Sequence, residues 1–172
     1  MAKQSLGRTQ IAELVKLLRA VFQYHHELRK QSEVAHLVQF PKIPSALSES
    51  LVVILGNQGL LLNELNLHNF QLSEENGDVV ATSNNMQKLK IEVKATGNSA
   101  FQFFGDKDIE SDILVWVHFD NCFKESSSEV KIFTVINPKL KFEKPQKITL
   151  SKFKDLGSPT ETVINLDSVL VS

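Results

Sequence analysis

The sequence predicts an α/β domain, with one central mixed sheet flanked by helices. Three observations lead there. Apolar residues recur at helical spacing near the start of the chain. Residues 89–95 alternate between apolar and charged with period two. Further on, Ile113-Leu114-Val115-Trp116-Val117 is apolar without a break, as a strand buried on both faces should be. The order helix, helix, hairpin, helix, strand, strand packs around one sheet.

Each element has its own warrant. From about Thr9 to Lys30, Ile11, Leu14, Val15, Leu18, Val21, Phe22 and Leu28 form an amphipathic helix, with Thr9 as its expected N-cap. Phe40-Pro41-Lys42-Ile43-Pro44 breaks that pattern, because proline lacks an N–H. Ser45 is the expected cap of a second helix running to about Leu55, with Gly56-Asn57 as its stop. This helix is apolar nearly all round, so burial is expected, and Glu49 within it needs a partner or a purpose. In residues 59–75, Leu60, Leu61 and Leu62 fit either a helix or a strand, and Glu74-Glu75-Asn76-Gly77 reads as a turn. Asp78-Val79-Val80-Ala81 and Leu89–Ala95 read as a hairpin across the turn Thr82-Ser83-Asn84-Asn85. Ser99–Ser111 is expected to be helical, with Phe101, Phe104 and Ile109 facing in. Val130–Ile136 is a further strand, and a short one is expected near Val163-Ile164.

Composition narrows the function classes. A chain of 172 residues, 42% hydrophobic and 23% charged, is expected to be one folded domain rather than a disordered segment. No apolar run approaches the ~18 residues of a membrane span, and no secretory leader is expected at the N-terminus. A single cysteine, Cys122, excludes an internal disulfide and a cysteine zinc site, so a reducing, cytoplasmic setting is expected. The net charge of −1 does not mark a nucleic-acid binder, but its distribution is uneven. Residues 106–129 carry seven acids against two lysines, and residues 131–154 carry seven lysines against one acid. That pattern fits either a basic face or a solvated, lysine-rich surface.

The hairpin carries the chemistry. Glu92 and Lys94 lie two apart on one strand and leave the same face, and Asp78 begins the partner strand. Two carboxylates with the Val93 carbonyl can hold a hard cation such as Mg²⁺. Such an ion polarises a phosphodiester and lowers the pKa of bound water, while a lysine stabilises the charge that grows. Alternating charges also mark the solvent face of an ordinary strand, and an aspartate after glycine also marks a turn. The remaining polar candidates carry less. His25-His26 diverge around a helix and read as a surface pair, His118 reads as structural, and Cys122, with no evident basic neighbour in the sequence, as inert. Trp116 reads as core.

Asn76-Gly77-Asp78, followed by a short hairpin and Lys90-Ile91-Glu92-Val93-Lys94-Ala95-Thr96, resembles the PD-(D/E)xK nuclease motif. More narrowly, the chain is similar to the small type II restriction endonucleases. The likeness runs from about Phe40 to Phe119. It includes Phe40-Pro41, Ser48-Glu49, Phe103-Phe104-Gly105-Asp106-Lys107 and the strand Asp112–Val117. It implies a restriction-endonuclease-like fold. Asp78 then matches the first metal-binding aspartate, Glu92 the second acid, Lys94 the catalytic lysine, and Glu49 a helix glutamate that some members add. The Val93 carbonyl would join the metal site. Asn98, Ser99, Gln102 and Lys107 would approach the DNA backbone. Gly77 departs from the family's proline.

The resemblance implies a Mg²⁺-dependent endonuclease that cuts double-stranded DNA at a short specific sequence. One site per chain and two strands to cut imply a homodimer, or else the small subunit of a two-chain enzyme. The expected layout is a single endonuclease domain over residues 1–172. Residues 1–44 form a helical part and candidate dimer surface, residues 45–136 the catalytic core, and residues 137–172 a basic C-terminal part. Two other readings remain: a structure-specific or repair nuclease of the junction-resolvase type, and a non-catalytic DNA- or protein-binding domain.

Overall fold

A strand that begins with five apolar residues in a row has to sit inside a sheet, and Ile113–His118 is buried along its whole length. The structure is a computed structural model that describes residues 4–37, 41–75, 77–97, 101–123 and 127–171. In chain order the elements are α1 (Arg8–Gln31), α2 (Ser45–Asn57), β1 (His68–Leu72), β2 (Val79–Thr82), β3 (Lys88–Thr96) and β4 (Phe101–Phe104). There follow α3 (Asp106–Ile109), β5 (Ile113–His118), β6 (Glu129–Ile136), β7 (Gln146–Thr149), α4 (Leu150–Gly157), β8 (Thr160–Asn165) and α5 (Leu166–Val171). Short 3₁₀ turns join several of them.

The main sheet runs β1-β2-β3-β5-β6-β8, and β4 pairs with β7 in a separate ribbon. Only β3 and β5 run parallel in the main sheet; the other neighbours are antiparallel. The expected α/β class, the hairpin, and the strands at 113–117, 130–136 and 163–164 are therefore present.

The sheet separates two apolar cores. On one face Ile91, Val93, Ile113, Val115 and Val117 pack with Ile11, Val15, Leu18 and Phe22 of α1 and with Leu47, Leu51 and Leu55 of α2. On the other face Leu114, Trp116, Phe133 and Val135 pack with Phe104, Phe142, Ile148 and Phe153. The second core is a ring stack, with Phe104 set edge-on to Trp116 at 5.8 Å and Phe142 stacked on Phe153 at 5.6 Å.

Several local expectations change. Gly7, not Thr9, precedes α1, because the Gln10 side chain reaches back to accept from the Gly7 N–H at 2.9 Å. Val21 is exposed rather than packed, while His25 is buried. Ser45 is the first residue of α2 rather than its cap, and the Ser48 hydroxyl donates to its carbonyl. That helix runs on through Gly56 and Asn57. Gly56 is required there, since a Cβ would meet the Phe70 ring at 2.4 Å. Asn57 then exchanges two hydrogen bonds with the Phe70 backbone, which ties the helix end to β1.

Of the helix expected over Ser99–Ser111, the described residues 101–111 do not form one helix. Residues 101–104 form β4, with Phe101 and Phe103 turned outward and Phe104 inward; only Asp106–Ile109 makes a single helical turn. Pairing with β7 satisfies the backbone that a helix would otherwise have satisfied internally.

Candidate active site

The hairpin register sets two carboxylates against each other. Val79 pairs with Ile91, so the next step of the antiparallel ladder places Asp78 opposite Glu92. The Asp78 N–H donates to the Ile91 carbonyl at 3.1 Å, and its Oδ2 accepts from the Val93 N–H at 3.0 Å. Like charges directly opposite on a sheet repel, and that cost needs a reason. The turn before them is tight. Gly77 has φ +93°, and a Cβ there would lie 3.1 Å from the Ile91 carbonyl and 3.3 Å from Glu92 Oε1. Proline is locked near φ −65°, so it has no place at this position. The glycine at this position therefore has a local backbone cause.

Glu92 is 2% exposed, so it does not lie on a solvated strand face. In the parallel register Glu92 lies beside Leu114 and Lys94 beside Trp116, on the face of the aromatic core. The α3 turn supplies their partners. Lys107 Nζ lies 3.0 Å from Glu92 Oε1 and 3.7 Å from Asp78 Oδ1, so one cation bridges the two acids. The next residue, Asp108, holds Lys94 in an ion pair of 2.8 Å. Asp108 is itself buried. Its Oδ2 accepts from the Gly105 N–H at 2.8 Å, and the Ser111 hydroxyl donates to its carbonyl at 2.7 Å.

These surroundings move two titrations. Burial pushes the Glu92 carboxyl up to about 7; the Lys107 ammonium pulls against that shift and Asp78 adds to it. For Lys107, burial works against the charged form, but Glu92, Asp78 and Asp108 outweigh it and raise its pKa. A buried acid that titrates near neutrality beside a second acid is a common mark of a working site.

Asp78, Glu92, Lys94 and Lys107 are thus brought together. Glu49 is also buried, on α2. Among the described residues no three His, Cys, Asp or Glu side chains gather as a metal site. The Val93 side chain belongs to the helical core, while its N–H fixes Asp78. Gln102 points inward, donating to the Ala95 carbonyl at 2.6 Å, and so holds β4 against the end of β3 rather than facing outward. Asn98 and Ser99 lie outside the described residues. Asp108 was missed by sequence reasoning. Its only signal was its place in the acid-rich stretch, one residue past the Gly105-Asp106-Lys107 segment.

Other expectations resolve nearby. His25 is not part of a surface pair. His118 Nδ1 shares a 2.8 Å hydrogen bond with the Thr96 hydroxyl, which also accepts from Trp116 Nε1 at 2.9 Å. Cys122 does have a basic neighbour, with Arg19 Nη2 3.8 Å from its sulfur, yet burial raises its thiol pKa. No helix among the described residues is long and apolar enough to cross a membrane. Several lysines of the 131–154 run pair with acids: Lys139 with Glu110, Lys154 with Glu161 and Lys131 with Glu129.

The donor set suits a hard cation. Two carboxylates from adjacent strands already share one positive charge, and oxygen donors of this kind are what Mg²⁺ or Mn²⁺ takes. Comparison with protein-family models, with curated proteins and with solved structures gives no match.

Proposed function

We propose that this chain is a metal-dependent deoxyribonuclease that hydrolyses double-stranded DNA at a short specific sequence, in the manner of a type II restriction endonuclease. One observation carries the reading. Asp78 and Glu92 oppose each other and share a cation, and Lys94 leaves the same strand face two residues on. A structural ion pair does not need two buried or half-buried acids set against each other.

In this reading Asp78, Glu92 and the Val93 carbonyl hold a divalent cation. That ion supplies Lewis acidity to the phosphodiester and lowers the pKa of a water. Lys94 orients the attacking water and stabilises the charge growing on the phosphate oxygens. Asp108 keeps its ammonium aimed. Burial of Glu92 beneath α3 keeps bulk water away from the acids, which strengthens each charge interaction.

Cutting two strands calls for two sites, and a second copy of this chain supplies the other. Leu17, Val21 and Tyr24 of α1 recur at i, i+4 and i+7 and are all exposed, an apolar stripe that fits a self-contact.

The test is incubation with phage DNA, in Mg²⁺ and in EDTA, for the wild type, Glu92→Ala and Lys94→Ala. Discrete fragments are expected only with Mg²⁺ and only from the wild type, with the variants slower by about 10²-fold or more. A smear would move the reading to a nonspecific or repair nuclease. Full activity of either variant would overturn it.

A further inference from the structure

Lys107 stands where a cation belongs. Its ammonium touches Glu92 Oε1 at 3.0 Å and approaches Asp78 Oδ1 at 3.7 Å, so it lies against the two oxygens that a metal would use. We propose that Lys107 is the resident counter-cation of this carboxylate pair, and that a divalent cation binds by displacing its ammonium. The inference rests on the metal-dependent reading above and says how that site is loaded.

Three observations support it. The first is space. A hard cation sits about 2.0–2.6 Å from its oxygens. An ion on these oxygens would lie against an ammonium that is already in contact with one of them, and two positive charges at that range repel strongly.

The second is charge. Three carboxylates (Asp78, Glu92 and Asp108) face two ammoniums, Lys94 and Lys107. Adding a divalent ion with both lysines in place leaves the cluster positive. Adding it as Lys107 withdraws leaves three charges of each sign.

The third is freedom to move. The Lys94 side chain is 26% exposed and is held by an Asp108 that is itself 7% exposed; the Lys107 side chain is 66% exposed. With a divalent ion on Glu92 and Asp78, Lys107 can swing into water without stranding either acid, whereas withdrawal of Lys94 would leave the buried Asp108 carboxylate without its cation. The two lysines therefore divide the work. Lys94 stays for the chemistry, and Lys107 holds the site until the metal arrives. Once displaced, its ammonium is free to meet a phosphate, which is the role the sequence resemblance implied.

The test is Mn²⁺ binding to the full chain at pH 8.0, read from the electron paramagnetic resonance of the free ion. The proteins are the wild type, Lys107→Met, Lys107→Gln, Lys107→Arg and Glu92→Gln. Both neutral variants are expected to bind Mn²⁺ about fivefold more tightly than the wild type, or better. Lys107→Arg should stay near the wild type, and Glu92→Gln should lose binding. Equal or weaker binding by both neutral variants, with Glu92 still required, overturns the displacement and leaves the metal-dependent reading standing. Absence of Mn²⁺ binding in every protein overturns both. Binding by the neutral variants but not by the wild type is the strongest support.

Discussion

The two faces of strand β3 do different work with neighbouring residues. Ile91 and Val93 enter the core beneath α1 and α2 and pack in its apolar cluster. Glu92 and Lys94 leave the opposite face, beside an aromatic core, and meet charged partners: Asp78 across the hairpin, and Lys107 and Asp108 from the α3 turn. One face is held by area removed from water. The other is held by a few ion pairs that must each be complete, because an unpaired buried charge is costly. The contrast predicts that mutations on the first face should cost stability, and that mutations on the second should cost activity.

The sharpest break of that contrast is Ile91→Ala. Ile91, flanked by β2 and β5 in the sheet, is fully buried in the helical core, so truncation leaves a cavity. The expected loss is about 2–5 kcal/mol by chemical denaturation. Under the proposed function, any remaining folded protein should cleave at the wild-type rate. A loss below ~1 kcal/mol would mean that the helical face collapses around the gap and is less tightly packed than the burial indicates.

That first face is also the part most legible in the sequence. A stripe at helical spacing, a period-two run and an unbroken apolar run each have one simple reading, and the structure carries all three. Two segments defied this logic. In β1, Asn69 at φ +52° and a shift of register between His68 and Gln71 spoil the alternation. In β4, Phe101 and Phe104 lie three apart and imitate a helix face; the partner strand that decides otherwise begins more than forty residues later, at Gln146.

The candidate site divides in the same way. Asp78, Glu92 and Lys94 were legible because hairpin geometry is local. The roles of Lys107 and Asp108 were not, since they depend on where a single turn of helix lands across the sheet. Glu49 lies between these cases: its burial on α2 was legible from an apolar helix, but its partner depends on how that helix packs on the sheet.

A smaller effect is expected one step from the chemistry. Asp108→Asn keeps an oxygen for the Gly105 N–H but removes the charge that fixes Lys94. Lys94 should then sample several rotamers, and kcat should fall about 10- to 100-fold with little change in duplex affinity. An equal loss in binding would mean that Asp108 supports the fold of the α3 turn rather than the aim of the lysine.

The smallest effect is the most diagnostic, because it reads the charged face through stability rather than rate. A free glutamate carboxyl ionises near 4.5, whereas burial holds the Glu92 proton until about 7. Below the first value both folded and unfolded chains are protonated there, and the proton costs nothing. Between the two values the unfolded chain releases its proton first, so Glu92 withdraws stability as pH rises. The withdrawal is complete above about 7. Glu92→Gln removes this titration. In EDTA the variant should match the wild type near pH 4.5 and exceed it by about 1–2 kcal/mol at pH 8.5. If the difference is the same at both pH values, the Lys107 ammonium compensates the buried carboxylate fully in the metal-free protein. If it grows with pH as expected, the fold holds two opposed acids at a standing cost, and a bound divalent cation should recover that stability in the wild type but not in the variant.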